Sequence, residues 1–178
     1  MQRSRITGGF TEAALGFMRE AVAAEEAFYV NLWPDDVHAP YWPPIDQWRD
    51  DRVGKFQAVL EALDRQLTPL FDFLRSTPAV RDNTLVLICS DNGPEPGVGS
   101  AGPFRGAKTT LYEGGIRSPL IVWGPGLLSP AAAGSRDEAS VFAAFDLVPS
   151  LLAIAGVAVP ARIALDGVDV SPALLGIR

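Results

Sequence analysis

The stretch TLVLICSDNGP, residues 84–94, decides the fold class of this 178-residue chain. Its first six residues form a continuous apolar run, which is typical of a central parallel strand covered on both faces. A Gly-Pro pair follows at 93–94 and predicts a sharp turn at the end of this strand. Because ligands of open α/β sheets collect beyond the carboxyl ends of strands, Asp91 and Asn92 are candidate ligand-binding residues.

Asp91 and Asn92 offer a carboxylate beside an amide oxygen, and a hard cation such as calcium prefers such donors. Neighbouring strand residues point to opposite faces, so these two can share a ligand only if the strand has ended before them. Two oxygens also fall short of the roughly six to eight that calcium takes. By itself an Asp-Asn-Gly sequence is more typical of a turn, and a cation site is the alternative.

Helical patterns precede this strand. Apolar residues recur at helical spacing over 11–24, where Thr11 is the expected N-cap, and over 53–74. Pro69 interrupts the second pattern, which predicts either a kink or a second helix capped by Thr68.

Strand patterns alternate with these helices. Residues 27–33 and 119–123 are rich in strand formers, and a last helix is expected to be capped by Asp146 and to stop at Gly156. The alternation predicts an α/β sandwich. Three strands leave apolar edges unpaired, so we expect the sheet to be incomplete within this chain.

Composition and charge narrow the possible classes of protein. Apolar residues make up 48% and charged residues 20%, which is typical of a globular domain. The net charge of −6 argues against a nucleic-acid partner, although a locally positive site for an anionic small substrate stays possible. No apolar run is long enough for a membrane span, so no membrane partner is expected. Cys89, the single cysteine, excludes an internal disulfide and is expected to be a small buried strand residue.

Further motifs lie on both sides of the Ser-Asp-Asn-Gly turn at 90–93. They are HAP at 38–40, GPFRGAK at 102–108, LYEGGIRSP at 111–119, DLVPS at 146–150 and DGVD at 166–169. Taken as a set with SDNG, and in their order along residues 11–176, these motifs resemble the sulfatase family, of the arylsulfatase type within the alkaline phosphatase superfamily.

This resemblance implies a fold and an extent. The implied fold is a partial three-layer α/β sandwich with a mostly parallel mixed sheet, like that of alkaline phosphatase. Residues 1–178 would form a single partial catalytic domain, without the nucleophile region and the smaller C-terminal subdomain of the family. An export signal would then lie outside this sequence, since members of the family are often periplasmic, secreted or lysosomal.

The resemblance also implies roles for particular residues. Asp91 and Asn92 would be calcium ligands, and Lys108 would contact the sulfate oxygens as a compact charge. His38 would lie near the scissile ester oxygen, where it could bind sulfate or protonate the departing alcohol. Arg105 could join the anion site as a bidentate donor, with a structural ion pair as the alternative.

One part of the family's machinery is missing from the sequence. The formylglycine nucleophile of sulfatases is made from Cys or Ser in a Cys/Ser-x-Pro-x-Arg motif, and no such motif occurs here. Cys89 is followed by Ser-Asp-Asn, and in the stretch 76–81 the arginine comes one position late. We therefore expect the isolated chain to be inactive.

Three functions stay open at this point. The first is hydrolysis of a sulfate ester, either a small molecule or a sulfated carbohydrate. The second is phosphoester hydrolysis, which is found in the same superfamily. The third is non-catalytic binding of sulfated glycans, for which Trp33, Trp42 and Trp48 could stack on sugar rings, although they could equally be core and loop anchors.

Overall fold

A computed structural model of the chain describes residues 3–177. Contacts divide it into two compact units, one made of Met1–Val80 and Cys89–Leu120, the other of Arg81–Ile88 and Ile121–Arg178. All five candidate site residues belong to the first unit. Within the described range, no helix is both long and apolar enough to cross a membrane.

The first unit is built around two helices, α1 (Ile6–Ala23) and α2 (Arg52–Ser76), which pack against each other. Gln66 on α2 accepts a hydrogen bond from the Gly8 backbone N–H at 2.7 Å, which joins the two helices. Their buried residues recur three or four positions apart, as the helical periodicity predicts, and many are alanines that allow close approach. On α1 they are Thr7, Thr11, Ala14, Leu15, Met18 and Ala21; on α2 they are Gly54, Ala58, Val59, Ala62 and Leu74.

Local signals mispredict two features of these helices. Helix α1 begins at Ile6, so the prediction of Thr11 as its N-cap was wrong, and Thr11 is a residue of the buried face, 2% exposed. Of the two alternatives for Pro69, the second helix is not formed: α2 continues through Pro69, and Thr68 donates to the Asp64 carbonyl at 3.0 Å instead of capping a new helix. In both cases the apolar face extends beyond the local cap or breaker signal, and tertiary packing outweighs that signal.

The predicted strand at residues 27–33 is absent, because a strand needs a hydrogen-bonded neighbour and the described residues supply none there. Instead this segment and α1 line an open cavity of about 470 Å³. Tyr29 and Trp33 stay 71% and 76% exposed. No Asp, Glu, His, Lys or Arg side chain lines the cavity, whose walls are Phe10, Ala13, Ala14, Phe17, Tyr29, Val30, Asn31, Leu32 and Trp33.

Strands β1 (Val86–Cys89) and β2 (Leu120–Trp123) form a two-stranded sheet, so both predicted strands are confirmed. Gly126 lies against Asp82 and Gly124 lies against Leu85. Moving along the chain from Asp82 to Leu85, the residue opposite changes from Gly126 back to Gly124, so the two strands run antiparallel. The mostly parallel sheet and the three layers are not seen among the described residues.

The predicted burial of β1 was also wrong. Val86 and Leu87 are half-buried, Ile88 is 42% exposed, and Cys89 is exposed instead of buried. A strand is covered on both faces only when other elements pack on each of them. Within residues 3–177, β1 has β2 as its one neighbouring strand.

The second unit contains helices α5 (Leu147–Ile154) and α6 (Ser171–Leu174). The remaining helical elements of residues 3–177 are short. They are the helices α3 (Pro78–Arg81) and α4 (Glu113–Ile116) and the 3-10 turns Arg3–Arg5, Ile45–Gln47, Pro130–Ala132 and Ala144–Asp146. Helix α5 starts and stops where the sequence predicts, and Gly156, with φ +68°, provides its stop.

Asp146 does not cap α5 through its side chain. Its carboxylate accepts the Ala143 and Val168 backbone N–H groups at 2.9 and 3.0 Å, and these two bonds hold the pKa of Asp146 below its ordinary value. The Ser150 hydroxyl donates to the Asp146 carbonyl at 2.6 Å and accepts from the Val170 N–H at 2.8 Å. The DLVPS and DGVD motifs are therefore tied together as a structural connection.

Candidate functional site

Asp91 and Asn92 lie in the turn that follows β1, and Gly93 fixes this turn. The Gly93 N–H donates to the Gly115 carbonyl at 2.8 Å. A Cβ at position 93 would overlap the Gly114 carbonyl oxygen, so only glycine allows this approach of two backbones. The strand end and the start of α4 are thereby held together.

The loop that carries Lys108 is joined to the same two segments. The Lys108 N–H donates to the Pro94 carbonyl at 3.0 Å, and the Gly114 N–H donates to the Arg105 carbonyl at 2.8 Å. Gly106 has φ +88°, and its carbonyl lies where a Cβ on Gly114 would be. We call these three segments, residues 90–95, 105–108 and 112–117, the glycine-linked loops.

Asp91 and Asn92 also contact each other, because the Asn92 side-chain amide donates to the Asp91 carboxylate. Asp91 is exposed and Asn92 is half-buried, so both can reach a ligand. Their oxygens suit calcium in chemical type. Two side-chain oxygens are fewer than the roughly six to eight that calcium takes. Within residues 3–177 no group of three or more His, Cys, Asp or Glu side chains could hold a metal ion.

Lys108 is held by a carboxylate that the sequence did not single out. Its Nζ lies 4.0 Å from Glu95 Oε2, while Arg52 Nη2 contacts Glu95 Oε1 at 2.6 Å. Arg52 also donates to the Pro96 carbonyl at 2.9 Å. Glu95 therefore lies between two cations, and its shorter contact is with Arg52. The sequence could have indicated Glu95 as a residue of the site, since it directly follows the Gly-Pro pair of the turn.

Arg105 lies on the same loop as Lys108, and its guanidinium carbon is 3.8 Å from the centroid of the Tyr112 ring. It makes no ion pair with any described residue, so the structural ion pair considered above is not formed. Stacking uses the flat face of a guanidinium and leaves its in-plane N–H groups available for an anion. Arg117, by contrast, pairs with Glu113 at 3.5 Å and packs on Phe104, as a residue that fixes the loop would.

His38 lies on a different loop, and its imidazole is exposed. Nδ1 is 2.7 Å from the Ala39 carbonyl, and the backbone N–H donates to the Asp35 carbonyl at 3.2 Å. Arg3 donates both to the His38 carbonyl and to the Asp35 carboxylate. None of these hydrogen bonds joins His38 to the glycine-linked loops.

Glu95, Arg52 and Lys108, joined by the two contacts above, are called the Glu95 cluster, and Tyr41, three residues after His38, links the His38 loop to it. Its ring lies 6.0 Å from the Arg52 guanidinium carbon. Burial raises the pKa of the Tyr41 hydroxyl, and the negative charge of Glu95 raises it further. The structure thus brings Asp91, Asn92, Arg105 and Lys108 onto one set of loops, and places the residues that follow His38 beside them.

Comparison with known proteins identifies the family. The family model described as Sulfatase matches residues 7–157. N-acetylgalactosamine-6-sulfatase of Canis lupus familiaris is 32% identical over 179 residues, covering 97% of this chain and 33% of that protein. Arylsulfatase A of Homo sapiens is 32% identical over 163 residues, covering 89% of this chain and 31% of that protein. The chain spans about a third of the length of the curated relatives it matches.

Solved structures give the same answer. The structure of Ps i-CgsB in complex with k-i-k-neocarrahexaose matches with a TM-score of 0.83 and 27% identity, covering 97% of this chain and 39% of that one. BT33336S-sulf of Bacteroides thetaiotaomicron matches with a TM-score of 0.82 and 27% identity, covering 99% and 38%. The chain therefore belongs to the sulfatase family, a family of sulfuric ester hydrolases.

Proposed function

We propose that this chain supplies one wall of an arylsulfatase-like active site, with donors for calcium and groups that bind the sulfate of an ester substrate. The observation that carries the proposal is the hydrogen bonding of the glycine-linked loops. The Lys108 N–H is bound to the carbonyl of Pro94 at 3.0 Å, and Pro94 comes two residues after Asn92. The Gly93–Gly115 hydrogen bond, 2.8 Å long, fixes the turn between them. A cation site and an anion-binding ammonium on one set of loops suit the negatively charged sulfate group of an ester.

Lys108 would bind the sulfate oxygens directly. Its present partner, Glu95, is 4.0 Å away, at the outer limit of an ion pair, and keeps its 2.6 Å contact with Arg52 if Lys108 leaves. A sulfate can therefore take over the ammonium without leaving Glu95 unpaired. Arg105 would add in-plane donors from the same loop.

His38 would act on the ester oxygen. Its Nδ1 faces the Ala39 carbonyl at 2.7 Å, and that oxygen can only accept, so the proton on this side of the ring belongs to Nδ1. Nε2 is then the atom left for the substrate. In the imidazolium form Nε2–H can bind the sulfate or give its proton to the departing alcohol.

Asp91 and Asn92 would be two of the calcium ligands, and calcium bound there would neutralise negative charge on the sulfate. The sequence contains no Cys/Ser-x-Pro-x-Arg motif from which the family's formylglycine is made. We therefore propose that the 178-residue chain binds a sulfate ester weakly and does not hydrolyse it. Release of the alcohol from an aryl sulfate by the purified chain, lost in Lys108→Ala, would contradict this proposal.

A sulfated carbohydrate is the proposed class of substrate. N-acetylgalactosamine-6-sulfatase is named for a sulfated amino sugar, and Ps i-CgsB was crystallised with k-i-k-neocarrahexaose. Phosphoester hydrolysis, the competing hypothesis, has no support from any of the relatives compared above.

The test uses the two lysines of the chain, Lys55 and Lys108, as separate reporters. With lysine labelled by ¹³C at Cε, an aryl sulfate should shift the Lys108 resonance saturably and leave Lys55 in place. Lys108→Met should abolish binding, and Arg75→Met, an exposed cation of α2, should not. The matched aryl phosphate, compared at a mildly acidic pH where it carries a single negative charge like the sulfate, should bind Lys108 more weakly. Absence of a saturable Lys108 shift would overturn the assignment, and preference for the phosphate would favour phosphoester chemistry.

A further inference from the structure

A second cavity lies on the Arg52 side of the Glu95 cluster. Its volume is about 270 Å³, and its walls begin one residue after His38. They are formed by Ala39, Pro40, Tyr41, Asp50, Arg52 and Lys55. The charged wall residues are Asp50, Arg52 and Lys55, and the charge of Arg52 is already paired with Glu95 at 2.6 Å.

Lys55 is the wall cation that is open to a ligand. Its Nζ lies 4.3 Å from the centroid of the Trp48 ring, and no carboxylate of the described residues comes within ion-pair distance. Arg52, in contrast, is already bound to Glu95 and to the Pro96 carbonyl. An ammonium held over an aromatic ring keeps its donors for an anion, because the ring satisfies none of them fully.

Tyr41 adds a second, independent sign of a ligand. Its side chain lines the cavity and is 6% exposed, and its buried hydroxyl has no hydrogen-bond partner among residues 3–177. A buried polar group without a partner costs free energy, so such groups are normally satisfied by protein, water or ligand.

Two tryptophans lie next to Lys55, outside the cavity walls: Lys55 contacts Trp48, and Trp42 packs near Trp48. Trp42 and Trp48 are 51% and 47% exposed, and their ring centroids are 6.4 Å apart at an angle of 53°. Trp42 follows Tyr41 in the chain, and Trp48 lies under Lys55. Exposed flat rings next to a cation suit a ligand that has an apolar ring face and a negative group, as a sulfated sugar has.

We propose that this cavity is a subsite for a second sulfate group of the glycan, bound by Lys55, with the sugar ring packed on Trp42 and Trp48, while the ester sulfate contacts Lys108. The proposal rests on the proposed function, since it takes Lys108 as the site of the first sulfate. It narrows the substrate to glycans with more than one sulfate. Arg52 belongs to both sites, because it borders the subsite and anchors Glu95 beside Lys108.

The test compares two disaccharides of the same backbone, one with a single sulfate and one with two, in titrations of the full chain. Lysine ¹³Cε resonances again report on each site. The monosulfated sugar should shift Lys108 alone, and the disulfated sugar should shift both lysines and bind about tenfold more tightly. Lys55→Met should reduce this gain to less than about twofold. Arg75→Met, which removes an exposed cation from the same helix, should keep it.

The outcomes separate the two proposals. A disulfated sugar that shifts Lys108 alone, or that keeps its tenfold gain in Lys55→Met, overturns the subsite and leaves the proposed function in place. A Lys55 shift without a Lys108 shift overturns the sulfate role of Lys108 and with it the two-sulfate subsite, and no shift at either lysine also overturns both. An equal Lys55 shift with sodium sulfate at matched ionic strength would reduce the subsite to general charge attraction and overturn it.

Discussion

Gly93→Ala is the substitution that tests the glycine-linked loops most sharply. The added methyl group would overlap the Gly114 carbonyl oxygen and would come within 3 Å of the Gly115 Cα, both of them backbone atoms of the opposing segment. Backbone cannot rotate out of the way as a side chain can, so the segments must separate. The Gly93–Gly115 hydrogen bond, 2.8 Å long, would lengthen with them.

The expected magnitude follows from these two effects. Overpacking of a tight contact costs about 1–3 kcal/mol, and a lost hydrogen bond costs about 1 kcal/mol. The free energy of unfolding should therefore fall by roughly 2–4 kcal/mol. Gly16→Ala is the matched control, since Gly16 lies within α1 and its added Cβ would meet nothing within 4 Å beyond its own helix backbone. That change should raise stability by about 0.5–1 kcal/mol, because alanine favours the helix.

Urea denaturation followed by far-UV circular dichroism measures both variants. The ¹³Cε resonance of Lys108 shows whether the loops have moved, since the Lys108 N–H depends on the Pro94 carbonyl next to Gly93. The Lys55 resonance, on α2, should stay unchanged. If Gly93→Ala unfolds within about 0.5 kcal/mol of the parent chain and leaves Lys108 in place, the idea of a rigid body is refuted.

Further predictions concern the second unit. Ser150→Ala should lower the free energy of unfolding by about 1–3 kcal/mol, because the Val170 N–H loses its acceptor. Ser150→Thr keeps a hydroxyl and should lower the free energy of unfolding less. Equal decreases for the two variants in urea denaturation would contradict the role of that hydroxyl. In the folded chain the pKa of Asp146 is below its ordinary value. Its contribution to the free energy of unfolding is therefore present above the ordinary pKa and is lost as the pH falls through the folded pKa. Thermal denaturation of Asp146→Asn between neutral and acid pH should show a weaker loss on acidification than the parent chain, and an unchanged profile would disprove the contribution.

Local signals in the sequence were sufficient for the elements next to the site. The apolar run before Ser90, the Gly-Pro pair after Asn92 and the periodicity of α2 each act over a few residues, and each led to the correct element. Thr11 and Thr68 misled because a cap signal is also local, whereas the helices continue where their apolar faces are packed.

Non-local features could not be predicted in this way. Residues 27–33 have the composition of a strand, but strand formation depends on a partner elsewhere in the chain. The exposure of Cys89 has the same cause. The Arg52–Glu95 ion pair joins residues 43 positions apart, and no pattern in the sequence connects them. The roles of Lys108 and His38 came from the family resemblance, because spacing alone does not define a sulfate site.

The account depends on Asp91, Asn92 and Lys108 acting on one ligand, and linked binding measures this most directly. The dissociation constant of an aryl sulfate for the full chain would be determined from the Lys108 resonance with and without calcium. Calcium and a negatively charged sulfate attract each other, so each should strengthen the binding of the other to the chain. Calcium should therefore lower the dissociation constant of the aryl sulfate, and Asp91→Asn should remove this effect. A dissociation constant that calcium leaves unchanged would contradict the account.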